Sequence, residues 1–259
     1  MSTRREFRTF QFRQAVYRVH SAHFPEVRRC IRRMWNELEE YIALHPQFAE
    51  SLNPLPAPSG DSGDSSDTQP LPESVRRMLS ASSAAGVGPM AAVAGTFAQL
   101  AAEAGRRAGD TEVIVENGGD VYMRLEQPLI LGLWVGKDSP FQELAYSIQP
   151  GGGPLAVCSS SAQLGHSLSY GECDLFTVFS QDAALADAVA TGCCNRVHHS
   201  SDLQPSVEAA VQLPGVEGAV AIKDTEIAIA GRTPQLIRHT DAALGNKITR
   251  HQHSNFENY

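Results

Sequence analysis

Lysine is scarce in this 259-residue chain: only Lys137, Lys223 and Lys247 stand among 21 Lys and Arg residues. No apolar run approaches the roughly 20 residues that span a bilayer, so no membrane partner is expected. The N-terminus, MSTRREFRTFQFRQ, has neither the apolar stretch nor the small-residue cleavage site of a secretory signal. Five cysteines (Cys30, Cys158, Cys173, Cys193, Cys194) are odd in number and lack C-x-x-C spacing. That argues against a disulfide framework or a structural zinc site, and for reduced thiols in the cytoplasm. A G-x-S-x-G nucleophile elbow is absent.

What is present is enough apolar material for a sizeable core, 42% hydrophobic residues against 19% charged. The net charge of −8 is unevenly spread. Residues 1–33 carry nine Arg and two Glu, a head of +7, which leaves −15 on the remainder. A basic head suggests a nucleic-acid arm. The alternative is arginines on the wet faces of a strand and a helix, pairing with the acidic body. Because a nucleic-acid-binding domain is basic overall, the second reading leads and no nucleic acid is expected.

Residues 7–19 alternate as one or two strands, with Phe10 and Phe12 on one face. Pro25 opens a helix of about 20 residues whose stripe is Val27, Ile31, Met34, Leu38 and Tyr41. Its cations come first and its acids last, against the helix dipole, so packing must hold it. Residues 53–72, rich in Pro, Ser and Gly, read as a flexible loop. Gly88-Pro89 opens a helix of small apolar residues, which implies a buried helix close to a neighbour. From residue 112 strands dominate, with hairpins at Asn117-Gly118-Gly119-Asp120 and Lys223-Asp224-Thr225. Asp182 is the expected N-cap of an Ala-rich helix, and the chain from Arg238 to Tyr259 reads as a frayed tail. Strands and helices mix without βαβ regularity, so residues 1–259 are expected to form one α+β domain.

Four segments can carry chemistry. The Gly86–Gly95 helix start, including Gly88 and Ala92, either offers N–H groups to a phosphate or packs tightly. The turn of Asn117, Gly118, Gly119 and Asp120 either lets a ligand approach the backbone or is a plain hairpin. Ser159, Ser160 and Ser161 lead into a loop bearing His166, a catalytic or a structural imidazole. Asp187 and Thr191, spaced i,i+4, put a carboxylate and a hydroxyl on one helix face, which suits Mg²⁺ or an ordinary polar face.

In this order, GVGPMAAVAG, VENGGD, the Ser159–Ser167 loop and ADAVAT resemble the ApbE-like superfamily, in a branch outside its characterised transferases. The resemblance spans residues 75–231 and implies an α+β fold with a flavin cleft. Characterised ApbE enzymes are FAD:protein FMN transferases that use Mg²⁺ to move FMN onto a Thr or Ser of a target protein. On that basis Asp187 and Thr191 are the expected Mg²⁺ ligands, joined by a carbonyl around Ala92–Ala94. His166 is the expected catalytic residue. Gly88, Ala92, Asn117–Asp120 and Ser159–Ser161 are expected to line a site for FAD, FMN or another nucleotide, with an acceptor protein as a further partner. Two departures stand out. Val93-Ala94-Gly95 replaces the transferases' Lys-Gly, and no Asp-Pro follows His166. They favour two rivals, a binding or assembly protein without catalysis and a transferase with another substrate.

Overall fold

The structure, a computed structural model, describes residues 5–56, 70–136, 139–162 and 171–239. His166, most of the Pro/Ser/Gly-rich loop and the tail beyond 239 lie outside the described residues.

Strand β1 (Arg8–Phe12) turns back on β2 (Ala15–His20), so the alternating start of the chain is two antiparallel strands. Helix α1 (Phe24–Leu44) follows, with Pro25 in its first turn. It buries Val27, Cys30, Ile31, Met34, Trp35 and Leu38. The short α2 (Gln47–Glu50) and then α3 (Glu73–Ala85) lead to Gly88. The expected small-residue helix is in two parts. A 3₁₀ turn, Pro89–Ala92, precedes α4 (Val93–Ala108). The Ala91 N–H donates to the Gly88 carbonyl at 3.1 Å, the i→i+3 bond that closes the tighter first turn.

Strands β3 (Val113–Asn117) and β4 (Asp120–Arg124) form the expected hairpin; β5 (Leu129–Gly132), β6 (Leu144–Ile148), β7 (Leu155–Ser160) and β8 (Leu175–Ser180) follow. Asp182 caps α5 (Ala183–Cys194), accepting from the N–H groups of Ala184 and Leu185. Helix α6 (Leu203–Val211) leads to β9 (Val216–Lys223), β10 (Glu226–Gly231) and β11 (Gln235–Arg238). Strand β11 was not expected; it pairs with β6 and takes in Arg238, the first residue of the expected tail, the rest of which beyond 239 lies outside the described residues. Leu236 packs into the second core, a gain available only once β6 is in place.

An eight-stranded antiparallel sheet runs β1-β2-β3-β4-β7-β8-β9-β10, and a second sheet runs β11-β6-β5. Alternation sends each strand's residues to opposite faces. Tyr122, Cys158, Phe176 and Val178 meet the helices, whereas Val121, Met123, Val157 and Phe179 meet the small sheet. The result is three layers with two apolar cores. Within the helical layer α4 covers β3 and β4, α5 covers β7 and β8, and α6 covers β9 and β10. Among the described residues no single helix is long and apolar enough to cross a membrane.

Candidate functional site

Asn117 and Asp120 are paired across the tip of the β3–β4 hairpin, so their side chains share its helix-facing side. Between them Gly118 and Gly119 adopt φ of 64° and 111°, a turn that side chains with a Cβ rarely allow. Asn117 Nδ2 donates to the Ala94 carbonyl at 3.2 Å, which ties the hairpin tip to the first turn of α4. Val121 lies opposite Val157, so Asp120 comes beside the end of β7. Its Oδ1 accepts the Ser159 N–H at 3.2 Å, and the Cys158 thiol also bonds to it.

Helix α5 contributes Asp187. Its Oδ2 accepts the Gly95 N–H at 2.8 Å, and the Ala94 N–H supports the same carboxylate. Asp187 therefore caps α4 from a distant part of the chain. Gly95 allows the approach, because a Cβ there would run into the Ala183 carbonyl and sit 2.9 Å from the Asp187 Cβ. Gln99 Oε1 completes the crossing by accepting the Ala183 N–H at 2.8 Å.

The acid pair is poorly solvated. Burial pushes Asp120 up to about 7; the Ser159 N–H and Cys158 thiol oppose this, and the Glu116 charge adds to it. Burial likewise raises Asp187 well above the carboxylate range, reinforced by the Asp120 charge and opposed by the Gly95 and Ala94 N–H groups. Burial, with the charges of Asp120, Asp187 and Asp182, pushes the Cys158 thiol up as well. Thr191 lies one turn along α5 from Asp187 and is half-buried. Two crowded carboxylates and a hydroxyl are hard oxygen donors, and their excess negative charge fits a divalent cation. Among the described residues no cluster of three or more His, Cys, Asp or Glu makes a metal centre, so further ligands would be hydroxyl, carbonyl or substrate oxygens.

The remaining expected residues divide. Ala92 is fully buried, and its carbonyl accepts the Thr96 hydroxyl at 2.6 Å. Gly88 packs on the backbone of Ser51 and Leu52, so its missing Cβ serves packing. Of the N–H groups at the Gly86–Gly95 helix start, those of Ala94 and Gly95 are taken up by Asp187. Strand alternation splits the serine run: Ser159 Oγ pairs with Thr177 Oγ1 at 2.9 Å on the small-sheet side, whereas Ser160 faces the helices and Ser161 is buried. Cys158 and Gln99 join the cluster without a motif to announce them. Two clefts elsewhere, one around His20 and Asp110 and one between Cys30 and Arg77, do not touch the acid pair.

Comparison with known proteins adds to this geometry. The family model described as "AbpE bacteria" matches residues 17–215. The chain belongs to that family. A UPF0280 protein of Methanocella arvoryzae is 37% identical over 235 residues, 90% of this chain and 91% of the relative. A UPF0280 protein of Methanothrix thermoacetophila is 38% identical over 235 residues, 91% and 94% of the two chains. The apo flavinyl transferase ApbE of Pseudomonas stutzeri matches with a TM-score of 0.50 and 12% identity, covering 88% of this chain and 94% of that one. The ApbE protein of Thermotoga maritima gives 0.50 at 10% identity, covering 95% and 100%. At those identities the solved structures share the fold. The hairpin, α4 and α5 of this ApbE-like chain all fall inside the matched span.

Proposed function

We propose that this ApbE-like protein binds a flavin or another nucleotide together with Mg²⁺ and carries out metal-assisted FMN or phosphoryl transfer. The observation that carries the reading is a pair of buried, electrostatically coupled carboxylates from separate elements, Asp187 bonded to the first turn of α4 and Asp120 bonded to the Ser159 N–H of β7. Asp187 and Thr191 are the residues that would hold the ion, with Asp120 adding negative charge beside them. Bound Mg²⁺ would neutralise phosphate oxygens during transfer. The chain's own part is positional. Asn117 pins the hairpin to α4, and the exposed Gly118-Gly119 turn leaves backbone open to a ligand. His166 is assigned proton transfer, and a Thr or Ser of a second protein is the acceptor. The five cysteines, all buried and none in a disulfide, support a reducing cytoplasmic setting.

Titration of the purified protein with FAD, FMN and ADP, with and without Mg²⁺, tests this. Mg²⁺-dependent binding is expected, and Asp187→Ala should weaken it at least about tenfold, the loss of one charged ligand. Binding that ignores Mg²⁺ would discard the metal, and no binding of any of the three would discard the nucleotide. A second reading, ligand binding without catalysis, is favoured by Val93-Ala94 standing where the transferases carry Lys. AMP release from FAD, lost in Asp187→Ala, would exclude it.

A further inference from the structure

Helices α1, α3 and α4 enclose a cleft of about 220 Å³ that shares no lining residue with the acid pair. It is smaller than the roughly 300 Å³ at which sites for drug-sized ligands begin. Its buried lining is largely apolar, with Met34 of α1 and Leu100 of α4 beside the Cys30 thiol and Ser74 of α3. The thiol donates to the Leu100 carbonyl at 3.6 Å. Ser74 is 1% exposed, yet its Oγ makes no hydrogen bond among the described residues. Folded proteins rarely leave a buried hydroxyl in that state, because the hydration it gave up is not recovered.

The rest of the lining is charged, three arginines and three glutamates. Arg77 is bound three times, to Glu73 at 2.8 Å and to both oxygens of Glu103 at 3.0 and 3.1 Å. Arg76 and Gln99 take further places on those two carboxylates. Arg33 and Arg107 are left loosely held. Arg33 Nε lies 3.5 Å from Glu37 and Arg107 Nη1 3.8 Å from Glu103, with the two arginine side chains 65% and 62% exposed. Pairs so long and so exposed contribute little. The two guanidiniums come from different helices to one place. Arg33 Nη2 reaches Cys30 Sγ at 3.9 Å, and the Arg107 charge acts on the same thiol.

We propose that this cleft binds a small carboxylic acid that bears a hydroxyl or keto oxygen. The carboxylate bridges Arg33 and Arg107, whose planar donor forks match its geometry. The carbon body lies on Met34 and Leu100, and the second oxygen meets Ser74 Oγ, a hydroxyl able to donate or accept. The glutamates select the charge. With Glu37, Glu73 and Glu103 in the same lining, one negative charge is admitted more readily than the two of a phosphate.

Isothermal titration of the full chain with 2-hydroxybutanoate, 2-oxobutanoate, butanoate and inorganic phosphate tests the cleft, with Cys30 as a reporter. Cys30 is 7% exposed and the other four cysteines 0%, so iodoacetamide should reach it first. Both oxygenated acids should bind and slow Cys30 alkylation. Butanoate should bind about fivefold more weakly, the worth of one hydrogen bond, and phosphate more weakly still. Ser74→Ala should abolish the preference over butanoate, a readout that a purely structural role would not move. Arg33→Gln and Arg107→Gln should each weaken all three acids at least about tenfold, whereas Arg76→Gln, outside the cleft lining, should not. Circular dichroism checks that each variant is folded; if an arginine variant is not, Ser74→Ala decides. The proposal is overturned if neither oxygenated acid binds, if phosphate binds more tightly than they do, if both arginine variants leave binding intact, or if Ser74→Ala keeps the preference.

Discussion

Asp120 is one of two buried carboxyl groups that carry the energetic tension of the site. Its folded value of about 7 lies above the ordinary 3.8, chiefly because burial disfavours the charged form. An acid raised on folding binds its proton more tightly in the native state. Stability is therefore lost as pH rises through the window from 3.8 to about 7. In metal-free protein Asp120→Asn should remove that loss, leaving the variant about 2 kcal/mol more stable than the parent at pH 8. Urea midpoints measured across the window check this, and equal slopes in the two proteins would contradict it. The i,i+4 spacing of Asp187 and Thr191 was readable as a pair of oxygens on one helix face. That Asp187 caps α4 through Gly95 was not, because 92 residues separate the partners.

At the scale of elements, the crossing of α4 and α5 depends on the absence of side chains. Gly95→Ala should destabilise the protein by at least about 2 kcal/mol, since its Cβ would meet the Ala183 backbone, which cannot rotate away. Chemical denaturation measures the loss, and flavin or nucleotide binding should weaken in parallel because Asp187 moves with the crossing. Local elements were legible where a short-range rule governs them. Two glycines bent the hairpin at Asn117–Asp120, Asp182 capped α5, and an apolar stripe marked α1. Strand β11 and the 3₁₀ turn were missed. One depends on pairing with β6 and the other on how Pro89 enters the helical layer.

Across the whole molecule, the basic head is stitched to the acidic body. Arg5 grips Glu112 with two hydrogen bonds and reaches the carbonyls of Gln127 and Pro128, while Arg13 meets Glu39 and Arg18 meets Glu116. The first pair is 14% and 12% exposed and the second 47% and 45%, so the two are not equivalent. Burial acts to raise Glu112, but hydrogen bonds from Arg5 and the Glu126 and Gln127 N–H groups outweigh it and hold the carboxyl down at about 2. This stability is present above the ordinary 4.5 and is lost as pH falls toward 2. Arg5→Ala should therefore cost about 2 kcal/mol at pH 7 and much less near pH 2.5. Arg13→Ala should stay within about 1 kcal/mol at either pH. Thermal melts of both variants at the two pH values compare them. The sequence by itself determined the α+β class, the charge division and the local geometry of each motif, because propensity, turn chemistry and periodicity act over a few residues. Only the tertiary structure decided that two distant carboxylates would be buried within each other's electrostatic reach, that the serine run would split between two faces, and that β11 would pair with β6. Those outcomes follow from which strands pair and which helices cross, and both are set by contacts between residues far apart in the chain.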